Sequence, residues 1–194
     1  TDTIVFPKIE KEKFVKNFEN DLIQIALLAK KHKKQVYVSS ARSNLEYWPM
    51  VSVYSKKLNN EEQSKFIEIY NSGLDYYLKG NYNKAILHLI KTKLIDDEVA
   101  VVDYLIGSSF MKMNKIQDGY NFLNASIDYD GFPVRSINAI DDAVKETSNK
   151  YSSMHYINTK EVFFNAVNSS IPFDILFSDF QHPAKLGHVL IAYT

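Results

Sequence analysis

Apolar residues recur with helical spacing over some stretches of the chain and with strand-like density over others, and the changes between the two divide it into three parts. Phe14, Phe18, Leu22, Ile25 and Leu28 or Ala29 fall at intervals of three and four, which predicts an amphipathic helix to about Lys33. Gln35-Val36-Tyr37-Val38-Ser39-Ser40-Ala41 is short, β-branched and aromatic, and predicts a strand close behind that helix. The loop Arg42-Ser43-Asn44-Leu45-Glu46-Tyr47-Trp48-Pro49 follows the strand's C-terminal end, where parallel α/β sheets place their ligand crevice. From about Asn59 to Asp130 only the helical period is present. Alternation then returns. Ile137, Ile140 and Val144 line a helix face to about Tyr151, and Met154-His155-Tyr156-Ile157 reads as a strand. Asn158 with Glu161 makes a capping signal for a helix carrying Val162, Phe163 and Val167. Asp174-Ile175-Leu176-Phe177 leads into a loop, and Pro183 stands where a last helix would take its first residue.

The all-helical stretch repeats itself. Gly73 and Gly107 are 34 residues apart, as are Tyr76 and Phe110, Ala85 and Gly119, and Leu89 and Leu123. Gly80 aligns with Asn114, both at a turn, and Asp96 aligns with Asp130. This period, with small residues where paired helices touch, resembles the tetratricopeptide repeat. The second copy departs from it, with Gly119 where Ala is usual and Ser126 in place of a late small apolar residue. Two repeats bury little alone, so they are expected to lean on the flanking domain and to offer a surface to a protein partner. The predicted organisation is an α/β part over residues 1–57, a helical insert of two repeats over 58–131, and a second α/β part over 132–194.

Composition narrows the function classes. The 194 residues are 45% hydrophobic and 24% charged, an ordinary globular balance, and no apolar run approaches the roughly 18 residues of a membrane span. Basic and acidic residues both number 23, which gives no argument for nucleic acid or an anionic membrane. Cysteine is absent, so disulfides, thiolate metal sites and a cysteine nucleophile are excluded together, while the compartment stays open.

The candidate chemistry lies near the end, in Ser178-Asp179-Phe180-Gln181-His182-Pro183 followed by Gly187-His188. An Asp and a His three residues apart can bring a carboxylate and an imidazole together in one loop, the pair that orients and charges the general base of a serine hydrolase. The same spacing also fits a surface pair, a cap or half a metal site. Pro183 fixes the backbone beside His182, Gly187 permits close packing, and Leu186, Val189, Leu190 and Ile191 are expected to anchor the last helix in a core. A metal shared by Asp179, His182 and His188 lacks a third convincing ligand. No metal and no cofactor are expected.

Taken in order, these blocks resemble the SGNH (GDSL-like) hydrolases, in particular bacterial members with a tetratricopeptide-like insert. Phe14 to Ala41 looks like the segment after that family's Gly-x-Asn-Asp block, and Ser43 to Pro49 is similar to the Asn-Leu-Arg-Asp-x-x-Pro loop of insert-bearing members, with Glu46 in place of Arg. Asp130-Gly131-Phe132-Pro133-Val134-Arg135-Ser136 looks like their Asp-x-x-Pro-x-Arg-Ala return, and Leu176 to Pro183 matches the terminal Asp-x-x-His-Pro block. The resemblance implies part of a flavodoxin-like three-layer α/β fold with an all-α insert. It implies ester hydrolysis through an acyl-serine intermediate, with a small-molecule, glycan or lipid ester as substrate. His182 would be the general base and Asp179 its orienting carboxylate; Asn44 and Arg135 would line or brace the cleft, or serve only as a loop cap and a salt bridge. The family's Gly-Asp-Ser nucleophile block and its oxyanion donors have no counterpart here. Phe18-Glu19-Asn20-Asp21 has an Asn-Asp pair without the preceding Gly, and Ser39 and Ser40 end a strand in the wrong context. The nucleophile is therefore expected in a missing N-terminal half, and the chain alone is expected to be inactive. The alternative from another class is a protein-interaction module whose repeats ride on a non-catalytic scaffold.

Overall fold

The computed structural model describes residues 5–41 and 43–194. Arg42, at the head of the predicted loop, lies outside them. In chain order the elements are α1 (Lys8–Lys31), β1 (Val36–Ser39), α2 (Asn60–Leu78), α3 (Tyr82–Lys93), α4 (Ala100–Lys112), α5 (Ile116–Tyr129), α6 (Asn138–Lys150), β2 (Met154–Ile157), α7 (Thr159–Asn168), α8 (Phe173–Leu176) and α9 (Lys185–Ala192). They fall into two units, one built on Leu45–Val134 and the other joining Phe6–Asn44 to Arg135–Thr194. Among the described residues no helix is long and apolar enough to cross a membrane.

The first unit is two helical hairpins, α2 with α3 and α4 with α5. Helix α2 starts where the sequence supplies a reciprocal cap: the Asn59 side chain accepts from the Glu62 N–H, and the Glu62 carboxylate accepts from the Asn59 N–H, both at 2.9 Å. Each hairpin turns through a left-handed residue, Gly80 at φ +72° and Asn114 at φ +58°. The helices approach closely over glycine. A Cβ on Gly73 would stand 2.8 Å from Leu89 Cγ, and one on Gly107 would stand 2.8 Å from Leu123 Cγ. Leu89, Val102, Leu105 and Ile106 are fully buried at the centre.

Two buried carboxylates tie the preceding segment to this unit. Asp130 accepts from the N–H groups of Met50 and Val51 at 2.7 and 2.9 Å, and Asp96 accepts from the N–H of Ser55 at 2.8 Å. Without those donors a buried carboxylate would be costly; with them it fixes the segment's path.

The second unit carries the strands. β1 and β2 run parallel with Val36 opposite Met154 and Ser39 opposite Ile157. Val36, Val38, Met154 and Tyr156 turn toward α1 and α6, packing with Leu22, Ala26 and Val144. On the other face Tyr37, 67% exposed, stacks on His155 with ring centroids 4.9 Å apart.

The expected flavodoxin-like three-layer α/β fold is not formed. The described residues make nine helices and a single sheet of two four-residue strands. A three-layer fold needs a sheet broad enough for helices to cover both faces, and here only one face is covered. The segment from Asp174 that leads into the loop forms most of the short helix α8.

Smaller expectations also shift. α1 has the predicted period, but Leu22, Ala26 and Ala29 are buried while Phe14, Ile25 and Leu28 are exposed. The stripe is wider than the surface that α6 and the sheet present to it. In α9 only Gly187 is buried and Val189 is exposed, so the helix is not anchored by its long apolar side chains as expected.

Candidate acid–base loop

Residues 178–182 form a loop closed at its base. Phe177 and Pro183 make an isolated antiparallel bridge, the Ser178 N–H donates to the His182 carbonyl at 2.9 Å, and the Ala184 N–H donates to the Leu176 carbonyl at 2.8 Å. That pairing claims Pro183, so α9 starts two residues later than the proline suggested, with Ala184 as its cap. Below the bridge Phe177 packs with Phe163 and Phe173, centroids 5.2 and 6.3 Å away, and all three are buried. The loop therefore stands on a rigid aromatic base. Nothing in the sequence signalled that base, because its three rings come from α7, α8 and the bridge, without a shared period.

Asp179 organises the loop from within. Its Oδ1 accepts from the N–H groups of Gln181 and His182, both at 2.8 Å, and its Oδ2 lies 2.6 Å from His182 Nδ1. The two backbone donors, then the ring donor, hold the Asp179 carboxyl down to about 2, so it is ionised at neutral pH. An ionised carboxylate can only accept, which places a hydrogen on His182 Nδ1 and leaves Nε2 of the neutral ring with its lone pair. That is the tautomer a general base requires. Both side chains are open to solvent, His182 at 66% and Asp179 at 40%, so the carboxylate–imidazole attraction is screened.

Asn44 and Arg135 act on the loop through the backbone. The Asn44 N–H donates to the Phe180 carbonyl at 3.0 Å, and Arg135 Nη1 donates to the Asn44 carbonyl at 3.3 Å. Arg135 is buried and holds Asn44, and Asn44 holds the residue between the two loop side chains. All four candidate residues thus lie in one connected assembly, in which Arg135 reaches Asn44, and Asn44 reaches the loop, through backbone carbonyls.

Ser178 and Ser40 have other employment. Ser178 Oγ donates to the His182 carbonyl at 3.0 Å. Ser40 is buried at the end of β1; its hydroxyl meets Thr159 Oγ1 at 2.8 Å, and that Thr159 hydroxyl donates to the Ser40 carbonyl at 2.7 Å. These bonds join β1 to the start of α7. Among the described residues no three His, Asp or Glu side chains gather into a metal site, so His188 does not complete one with Asp179 and His182.

Comparison with the models of known protein families, with curated proteins and with solved structures gives no match. The loop's chemistry has to be read from its own atoms.

Proposed function

We infer that Asp179 and His182 are the acid–base half of a serine ester hydrolase of the SGNH type, with the nucleophilic serine and the oxyanion donors contributed from outside these 194 residues. The observation that carries this reading is the tautomer lock: Asp179 Oδ2 sits 2.6 Å from His182 Nδ1, and the opposite ring nitrogen belongs to a largely exposed side chain. In the reaction, His182 Nε2 takes the hydroxyl proton as the serine oxygen attacks the ester carbonyl. The imidazolium formed is stabilised by Asp179 and gives that proton to the departing alcohol, leaving an acyl-serine. Water then repeats the sequence in reverse, and the carboxylic acid is released. The substrate class is a small-molecule, glycan or lipid ester.

The test uses the product of the complete reading frame. It should react with a fluorescent serine-directed phosphonate and hydrolyse a short-chain nitrophenyl ester, with His182→Ala lowering kcat by roughly 10⁴-fold and Asp179→Asn by a similar factor. The 194-residue chain alone should do neither. Failure of the complete protein to label, or hydrolysis that persists at full rate in His182→Ala, overturns the assignment.

A further inference from the structure

Two helices of the first unit carry apolar stripes on their outward faces, and the charges beside those stripes are of opposite sign. On α3 and its C-cap, Leu87, Ile90 and Leu94 are 60%, 43% and 84% exposed. Their spacing of three and then four is that of a coiled-coil seam. Lys84 and Lys91, both exposed, stand one position past the seam on the same flank. On α2, Ile67 and Leu78 are 49% and 74% exposed, with exposed Asn71 and half-buried Leu74 completing a four-three-four spacing. The equivalent flank of α2 carries Glu68 and Asp75.

The charges decide what covers these stripes. In an antiparallel pair of helices, positions just past the seam face their own equivalents across the contact. Pairing α3 with a second α3 would set Lys84 and Lys91 against lysines, and pairing α2 with a second α2 would set acids against acids. Pairing α3 with α2 sets Lys91 beside Glu68 and Lys84 beside Asp75, while Leu94 meets Ile67, Leu87 meets the outer edge of Leu74, which also packs on its own core, and Ile90 lies over Asn71. Neither flank is locked away. Lys84 lies over the Tyr76 ring at 5.3 Å, and Asp75 is paired with Lys79 at 2.6 Å with both side chains exposed. An exposed pair of that kind exchanges at little cost.

We propose that α3 of one copy docks antiparallel on α2 of a second copy, so that the chain associates head to tail through its helical unit. Such a contact uses different surfaces on the two copies. Each pair formed leaves one α2 and one α3 open, and assembly continues past two unless the rotation closes a ring.

Sedimentation velocity on the 194-residue chain tests this directly. Average mass should rise with concentration beyond that of a dimer, and 1 M salt should weaken the association. Ile90→Glu, at an exposed position that leaves the core intact, should raise the dissociation constant about 100-fold. Lys84→Glu with Lys91→Glu should raise it roughly tenfold. Adding Glu68→Lys and Asp75→Lys to that double variant should restore association to within a few-fold. A single monomeric mass up to about millimolar concentration overturns the proposal. So does association that ignores Ile90→Glu, or a fourfold charge exchange that fails to recover what the double variant lost.

Discussion

The Arg135 guanidinium donates to the carbonyl of Asn44 at 3.3 Å, and Asn44 passes that constraint to the loop through the Phe180 carbonyl. A buried arginine is thereby connected to an exposed acid–base pair that its own side chain is not seen to bond. Replacing it with Ala removes charged hydrogen bonds and leaves a hole, a loss of about 2–3 kcal/mol. The specific readout is amide hydrogen exchange. The N–H of Asn44 should lose protection in Arg135→Ala, and Gln181 and His182 should follow, whereas Arg135→Lys should restore part of it. Unchanged exchange at Gln181 and His182 would assign Arg135 to stability alone.

Asp179 gives the loop an acid limit. Its carboxyl is lowered from 3.8 to about 2 by the Gln181 and His182 N–H groups and then by the His182 ring. A group depressed on folding contributes stability that is present above its unfolded value and is lost as pH falls through its folded value. The loop should therefore stay closed at pH 4 and open as pH drops through about 2. Carboxyl carbon NMR of Asp179 should titrate near that value, and Asp179→Asn should weaken protection of the Gln181 and His182 amides already at pH 7. A carboxyl titrating near 4 would show that the two backbone donors are not holding it.

How much of this was legible depended on how local each signal was. The strand Met154–Ile157 lies where β-branched and aromatic density put it, because strand content is written in consecutive residues. The 34-residue spacing has a direct counterpart in packing: Gly73 sits against Leu89 as Gly107 sits against Leu123, and Asp96 and Asp130 each accept backbone N–H groups from the same preceding segment. The Asp179–His182 contact spans three residues and was readable for the same reason. The sheet was not. Its width depends on which extended segments find partners, and among the described residues only two pair, so the three-layer expectation failed. The path from Arg135 to Asn44 to Phe180 was illegible as well, since backbone carbonyls leave no mark on residue type. The burial phase of α1 escaped for a related reason: Phe14 and Ala26 share a helix, but the neighbouring elements choose which of them faces inward.

Asp103 sets the pH response of the helical unit. Its side chain is buried on α4 and is gripped by Lys93 Nζ at 2.9 and 2.7 Å. Burial raises its carboxyl to about 6, with Lys93 working against the rise and Asp97 adding to it. A group raised on folding contributes stability that is full below its unfolded value near 3.8 and is lost as pH climbs through about 6. The urea midpoint of this unit should therefore fall between pH 4 and pH 7, with the Asp103 share on the order of 1–3 kcal/mol. Asp103→Asn should flatten that slope and keep at pH 7 the stability the unaltered chain shows near pH 4, because its neutral amide brings no charge to be desolvated. An equally steep slope in the variant would move the effect to another group.

Gly187 controls how closely α9 can approach the bridge that closes the acid–base loop. A Cβ there would collide with the Leu176 carbonyl oxygen and lie 2.9 Å from Pro183 Cβ. The first obstacle is backbone and the second a rigid ring, so neither can swing aside as a flexible side chain would. Gly187 is also the only residue α9 buries, which leaves this contact to set the helix's position. Gly187→Ala should push α9 outward at a cost of about 1–3 kcal/mol. It should also lengthen the bond from the Ala184 N–H to the Leu176 carbonyl and so release the base of the loop. Gly80→Ala supplies the contrast. Its Cβ would meet nothing within 4 Å, and only the backbone at φ +72° resists it, at a cost of about 1 kcal/mol. Both variants should lower the urea midpoint, but only Gly187→Ala should speed amide exchange at Ser178, Gln181, His182 and Ala184. Matching exchange at those four amides in the two variants would mean that the loop holds its shape without the close approach of α9.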